Sequence, residues 1–281
     1  MGANVMTGGD EALAHRTGLH PVRTSPLMGG FNNILKKELG EWFRPRSIIT
    51  QAVIWLGIIN GLMAFVLFVV PVIEAQGGRP TPQMDTFITG LTLYFTMVFQ
   101  AGTIGVIIAA QDEIVGEKQT GTAAWILSKP VARFAFVLAK LVATGLGILV
   151  FVVALTAAVA YAEIALASGR SVDLLPYLGG LGLVSLGLIY FLSLTIMLGT
   201  LFNERGPVIG ITLGALFGGM ILVGLVPQIA LVTPIQFHNT AVGLAAEGTL
   251  PSDWIVAAIS TVLSILLFSG IAIWRFGKEE F

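Results

Sequence analysis

Six stretches of this chain are long and apolar enough to cross a lipid bilayer, and that fact constrains its fold more than any other. A hydrocarbon core of about 30 Å needs roughly 20 mainly apolar residues in a helix. The runs cover residues 48–73, 87–110, 134–162, 174–202, 208–232 and 254–274. The third and fourth exceed what a span needs, so those helices tilt or continue beyond the lipid. Composition agrees. The chain is 55% hydrophobic and only 11% charged, where a soluble domain carries about 25% charged residues. The expected fold is an all-α integral membrane protein with six transmembrane helices.

Lysine and arginine placement orients the spans, because cytoplasmic flanks are enriched in them. Arg16, Arg23, Lys36, Lys37, Arg44 and Arg46 precede the first span. Lys118, Lys129, Arg133 and Lys140 lie between the second and third, and Arg205 between the fourth and fifth. Arg275 and Lys278 follow the sixth. The opposite loops hold only Arg79 and Arg170, together with most of the unpaired acids, such as Glu74, Asp85, Asp173 and Glu247. Both termini are therefore expected in the cytoplasm. Residues 1–30 are polar, lack the apolar core of a signal peptide and read as a disordered cytoplasmic tail ahead of a six-span domain, 31–281.

Three further segments carry information. In 31–46, Phe31, Leu35, Leu39, Trp42 and Phe43 share one helical stripe about 120° wide, at about 100° per residue. Ile34 falls off that stripe, Glu38 sits at its edge, and Pro45 ends the helix. Such a helix lies in the membrane interface or serves as a plain juxtamembrane anchor. Segment 111–133 is the one sizeable cytoplasmic loop. It holds the polar Glu113, Glu117 and Lys118, a break at Gly121, and the apolar triplet Trp125, Ile126, Leu127. A purely solvated hairpin has no use for that triplet, which points to a protein or membrane partner. Segment 228–253 mixes prolines with apolar residues and reads either as a re-entrant dip on the outer side or as an ordinary external loop.

Much chemistry is excluded. No Lys is followed by Ser or Thr, so the chain carries no nucleotide-binding P-loop. Cysteine is absent, which removes thiolate metal sites and thiol catalysis. The three histidines, His15, His20 and His238, form no metal-binding spacing, and neither a catalytic nor a metal site is expected. Nothing in the charge pattern suggests a nucleic-acid partner. Within the spans the only charges are Lys140, placed to snorkel toward the cytoplasm, and Glu163 at an outer end. Asn60, Gln100 and Tyr190 are polar and deep, which makes them candidate pathway residues. Glycines recur every four positions at Gly57 and Gly61, and at Gly206, Gly210, Gly214 and Gly218, a spacing that lets membrane helices approach closely.

The cytoplasmic loop resembles a known family. Glu113-x-x-Gly116-Glu117, then Gly121-Thr122, then Leu127-Ser128-x-Pro130-x-x-Arg133 and Lys140 are similar, in that order, to the signature loop of type-2 permeases of ATP-binding-cassette (ABC) exporters. Lys36-Lys37-Glu38-Leu39, the six spans and the Pro-interrupted outer segment fit as well. The resemblance implies a plasma-membrane permease subunit with no cofactor of its own. ATP and Mg would be bound by a separate ABC ATPase subunit, and a second permease copy, identical or not, would complete the pathway. Glu113 and Glu117 would face the ATPase through a coupling hairpin, supported by Trp125, Ile126 and Leu127, with Gly121 and Thr122 forming its turn. Arg133 would pair with one of the acids. The cargo is unspecified, with an amphipathic or lipid-like one favoured by the apolar spans. A non-transporting membrane scaffold or assembly factor is the alternative. An enzyme acting on lipid through His238 and Glu247 is a distant third.

Because the chain lacks native cysteine, orientation is directly testable. A membrane-impermeant maleimide added to intact cells should label Asp173→Cys and Glu247→Cys but not Lys278→Cys. The reverse pattern would invert the topology.

Overall fold

The computed structural model describes residues 30–77, 85–122 and 132–279. Eight helices account for most of them: α1 Phe31–Trp42, α2 Pro45–Gln76, α3 Thr86–Gln119, α4 Arg133–Ser168, α5 Leu174–Leu201, α6 Arg205–Leu225, α7 Phe237–Glu247 and α8 Trp254–Gly277. Six of them (α2 to α6 and α8) are long and apolar enough to span a membrane. The described residues contain no β-strand. The tail and the triplet Trp125, Ile126, Leu127 lie outside the described residues.

Boundaries follow local chemistry. Trp42 ends α1, and Pro45 does not close that helix but opens the next. Arg44 is extended at φ −65°, ψ 143°, and Pro45 occupies the first turn of α2. A proline is tolerated there because its missing N–H would have no helical partner. Asp85 caps α3 by accepting from the Phe87 N–H at 2.9 Å. The fifth span stops at Leu225 rather than continuing to residue 232, because Pro227 begins a separate 3₁₀ turn, Pro227–Leu231. α3 runs nine residues past the expected end of its span. Its 34 residues reach about 50 Å at about 1.5 Å per residue, well beyond the hydrocarbon thickness. The first half of the expected cytoplasmic hairpin is thus the tip of α3, ending at Thr120 and at Gly121, whose φ of 71° is the left-handed turn that suits glycine.

α5 is the central helix, packed against α3, α7, α8, α6 and α4. The most apolar stretch of α5 is 61% buried within the protein, against 17% for α8. α3 and α4 complete the inner layer, while α2, α6 and α8 present large apolar faces outward. Glycines on α5 admit α7 and its lead-in. A Cβ at Gly180 would meet the Phe95 ring at 2.7 Å and the Ala241 carbonyl at 3.1 Å, and one at Gly187 would meet Phe99 at 2.6 Å. Pro234 lies against Gly187, and His238 stacks on Phe99 at 5.4 Å. Both points are about 20 Å inward from the starts of α5 and α3, counted at about 1.5 Å per residue. The segment between α6 and α8 therefore dips into the bundle instead of lying outside as a simple loop.

The glycine rows on the outer helices behave differently. A Cβ at Gly206, Gly210, Gly214, Gly218 or Gly57 would meet nothing within 4 Å, and one at Gly61 would meet only its own helix. Among the described residues they pack no neighbouring helix.

α2 and α4 contain wide π-helical turns at Leu56–Gly61, Phe65–Val69 and Leu149–Ala154. Backbone groups at membrane depth must find partners inside the protein. Here the Val153 carbonyl accepts from the Tyr94 hydroxyl at 3.3 Å, and the Thr156 carbonyl from Asn60 Nδ2 at 3.1 Å.

The close approach of α7 to α5 gives a matched pair of variants. Gly180→Leu must displace Phe95 and α7 and should cost about 1–3 kcal/mol, read as a lowered thermal midpoint in detergent. Gly182→Leu, where a Cβ meets nothing within 4 Å, should leave the midpoint nearly unchanged.

Candidate functional site

The expected coupling acids do not face outward. Glu113 and Glu117 are one helical turn apart on α3, so both carboxylates share a face, and that face meets Lys140 of α4. Lys140 Nζ lies 2.9 Å from Glu113 Oε2, 3.0 Å from Glu117 Oε1 and 3.3 Å from Glu38 Oε1 of α1. Thr144, one turn along α4, donates to Glu113 Oε1 at 3.3 Å. The Lys140 side chain is only 3% exposed. It does not snorkel; it is buried and fully engaged. Three carboxylates around one ammonium leave surplus negative charge, and Lys37 offsets part of it from the solvent side, 3.2 Å from Glu38 and 3.6 Å from Glu117. Partial burial pulls the Lys37 ammonium down, but the carboxylates of Glu38 and Glu117 outweigh that pull, so it titrates above its ordinary value.

This cluster also corrects the face of α1. The buried positions are Ile34 and Glu38, with Phe31, Leu35 and Trp42 packed beside them. Leu39 is half-buried and Phe43 is exposed. The helix leans on α4 through an ionic contact as well as an apolar one, which rotates it away from its aromatic stripe. A lysine inside an apolar run was the signal for this. A buried ammonium needs counter-charge, and Glu113 and Glu117 four residues apart were the nearest source.

The rest of this end of the bundle is tied to the same stretch of α3. Asp112 pairs with Arg205 of α6 at 2.8 Å, and its carboxylate lies over Gly116, where a side chain would collide with it. Lys118 donates to the Thr200 carbonyl at the end of α5, at 2.9 Å, and pairs with Glu279 at 3.2 Å. Gln119 donates to the Asn203 carbonyl at 2.8 Å. Arg133 pairs with neither Glu113 nor Glu117. It donates to the carbonyls of Gly277 and Glu279 at 2.8 and 2.6 Å, holding the end of α8 against the start of α4. At the turn, Thr122 shares a 2.8 Å hydrogen bond with Thr120 beside Gly121.

The candidate pathway residues are not brought together. Asn60 ties α2 to α4, donating to the Thr156 carbonyl and, at 3.3 Å, to Glu163 Oε2. Tyr190 packs edge-on against Phe268 of α8. An apolar cavity between α2, α3 and α4, of about 460 Å³, is lined by neither, nor by Gln100. Among the described residues no group of three or more His, Cys, Asp or Glu side chains could hold a metal ion.

Removing Lys140 should be costly. Lys140→Met strands three carboxylates, and breaking a buried ion pair by deleting one partner costs about 3–5 kcal/mol. Lys37→Met, which removes a lysine that is itself half-exposed, should cost less than about 1 kcal/mol. Adding Glu113→Gln to Lys140→Met should recover part of the loss. Thermal unfolding of the purified variants reads all three, and equal midpoints for the two lysine variants would show that the cluster carries little stability.

Comparison with known proteins places this bundle among membrane proteins without assigning an activity. The uncharacterized transmembrane protein YxlG of Bacillus subtilis (strain 168) is 22% identical over 254 residues, covering 88% of this chain and 97% of the relative. The family described as "Protein of unknown function (DUF2705)" matches residues 48–281, which takes in all six spans except the first turn of α2. This multi-pass membrane protein therefore belongs to the DUF2705 family.

Proposed function

We propose that this protein is the membrane-spanning subunit of an ATP-driven exporter of the type-2 ABC class, working in the plasma membrane with a separate ATPase. The observation that carries this reading is the ion cluster at the tip of α3. A push on the segment after Gly121 reaches Glu113 and Glu117, which grip α4 and α1 through Lys140. The same tip holds α6 through Arg205, and α5 and the end of α8 through Lys118. One short stretch thus engages every helix of the bundle except α2, which follows α1, and α7. A force applied there moves the helices together, which is what a coupling element must do.

Glu113 and Glu117 then transmit force rather than touch the ATPase. The contact falls to the segment containing Trp125, Ile126 and Leu127. ATP and Mg belong to the partner chain, since this sequence has no P-loop. A second permease copy fits the glycine rows of α2 and α6, which have no neighbouring helix among the described residues and suit close helix contact across an interface. The alternative, a non-transporting scaffold, accounts for the bundle but gives no reason for one hub at the cytoplasmic end.

The test is co-purification with a P-loop ATPase encoded beside the gene. Wild type should capture it, Trp125→Asp should lose it, and Glu117→Gln should keep it while ATP hydrolysis no longer drives transport. Failure of wild type to capture that ATPase from native membranes would favour the scaffold.

A further inference from the structure

Two cavities adjoin beneath α1. The apolar one, about 460 Å³, lies between α2, α3 and α4 and is lined by Trp42, Trp55, Ile58, Ile104 and Ile108. Its walls exist because the edge of the Trp55 ring abuts Gly105 of α3 and Trp42 lies on Gly147 of α4, positions where any Cβ would collide with the indole. The second is a polar cleft of about 380 Å³ at the cytoplasmic end, lined by the cluster around Lys140 together with Glu41, Asp112 and Arg205. Ala109 lines both, and α1 contributes to both, with Trp42 to one and Lys37, Glu38 and Glu41 to the other. Each volume lies in the range of small-molecule sites, about 300–1,000 Å³.

The cleft has a defined electrical character. Five carboxylates face three cations across its lining. Arg44 lies 3.6 Å from Glu41 but keeps 66% of its side chain exposed outside the cleft, where solvent screens it. Glu117 uses Oε1 for Lys140 and Lys37, while its buried Oε2 accepts no hydrogen bond from the described residues. A buried acceptor without a donor is unfavourable, and a ligand N–H⁺ would remove that cost. An anionic head would instead meet surplus negative charge.

We propose that the two cavities form one binding site for a single-chain amphiphile with a primary ammonium head. The chain lies against Trp42 and Trp55, and the ammonium donates to Glu117 in the lining of the cleft. Binding is read on this protein alone, so the proposal does not depend on the ATPase or on transport.

The probe is 11-bromoundecan-1-amine, whose bromine quenches nearby tryptophans, added to the full chain in nonionic detergent. Saturable quenching is expected, with 11-bromoundecan-1-ol and 11-bromoundecanoic acid at least tenfold weaker. Trp42→Phe with Trp55→Phe should remove the saturable component. Glu117→Gln should weaken the amine about tenfold and leave the alcohol unchanged. Should Glu117→Gln fail to fold, Ala101→Leu at the lining of the apolar cavity should weaken amine and alcohol alike. In bilayer nanodiscs, competition by sphingosine, a single-chain lipid with a primary amine, would identify a membrane lipid as the amine source, and its absence a water-borne amphiphile. Equal quenching by the three probes, tighter binding of the acid, or saturable quenching that survives loss of both tryptophans would each overturn the proposal.

Discussion

An ammonium buried among three carboxylates organises the lysine- and arginine-rich end of this protein. Lys140 lies two turns inside α4, where lipid or packed protein would otherwise surround it. A charge there is tolerated only with close counter-ions, and the counter-ions come from two other helices. The consequence is geometric. α1 must bring Glu38 inward, and α3 must stay helical past the membrane to deliver Glu113 and Glu117. Extending α3 in turn places Asp112, Lys118 and Gln119 where α6, α5 and the chain's end can meet them.

Deeper in the bundle the governing requirement is polar satisfaction without water. Wide turns in α2 and α4 loosen the regular hydrogen-bond ladder. Side chains from neighbouring helices take up the carbonyls, Asn60 from α2 and Tyr94 from α3. Tyr177 of α5 does the same for the Ala157 carbonyl at 3.0 Å. Polar residues at depth therefore join helices here, which is why Asn60 reads differently in three dimensions than it does in a list of deep polar positions. The re-entrant segment obeys the same rule from the other side, lodging Pro234 and α7 against glycines of α5 instead of lipid.

Much of the fold was legible because hydropathy acts over whole helices. Twenty apolar residues in a row leave the backbone no alternative to a spanning helix, so all six spans could be read, with errors confined to ends such as Leu225 and Gln119. The orientation of side chains was less legible. The aromatic stripe of α1 looked like its buried face, since apolar periodicity cannot weigh an ion pair made with a helix a hundred residues away. Glu113 and Glu117 looked like surface acids for the same reason. Arg133 looked like a partner for an acid, but the carbonyls at the end of α8 are nearer, and nothing local in the sequence links positions 133 and 277.

The sequence by itself determined the material of this protein: six membrane helices, flanks rich in lysine and arginine on one side, no nucleotide loop and no cysteine. Those follow from composition and from order along one chain. Only the tertiary structure decided which groups meet. It turned Glu38, Glu113 and Glu117 onto Lys140, set α7 into the glycine groove of α5, and left Gly206, Gly210 and Gly214 of α6 facing outward. The physical reason is that ion pairing and close packing depend on distances between helices, and those distances are fixed by how all the helices satisfy one another at once.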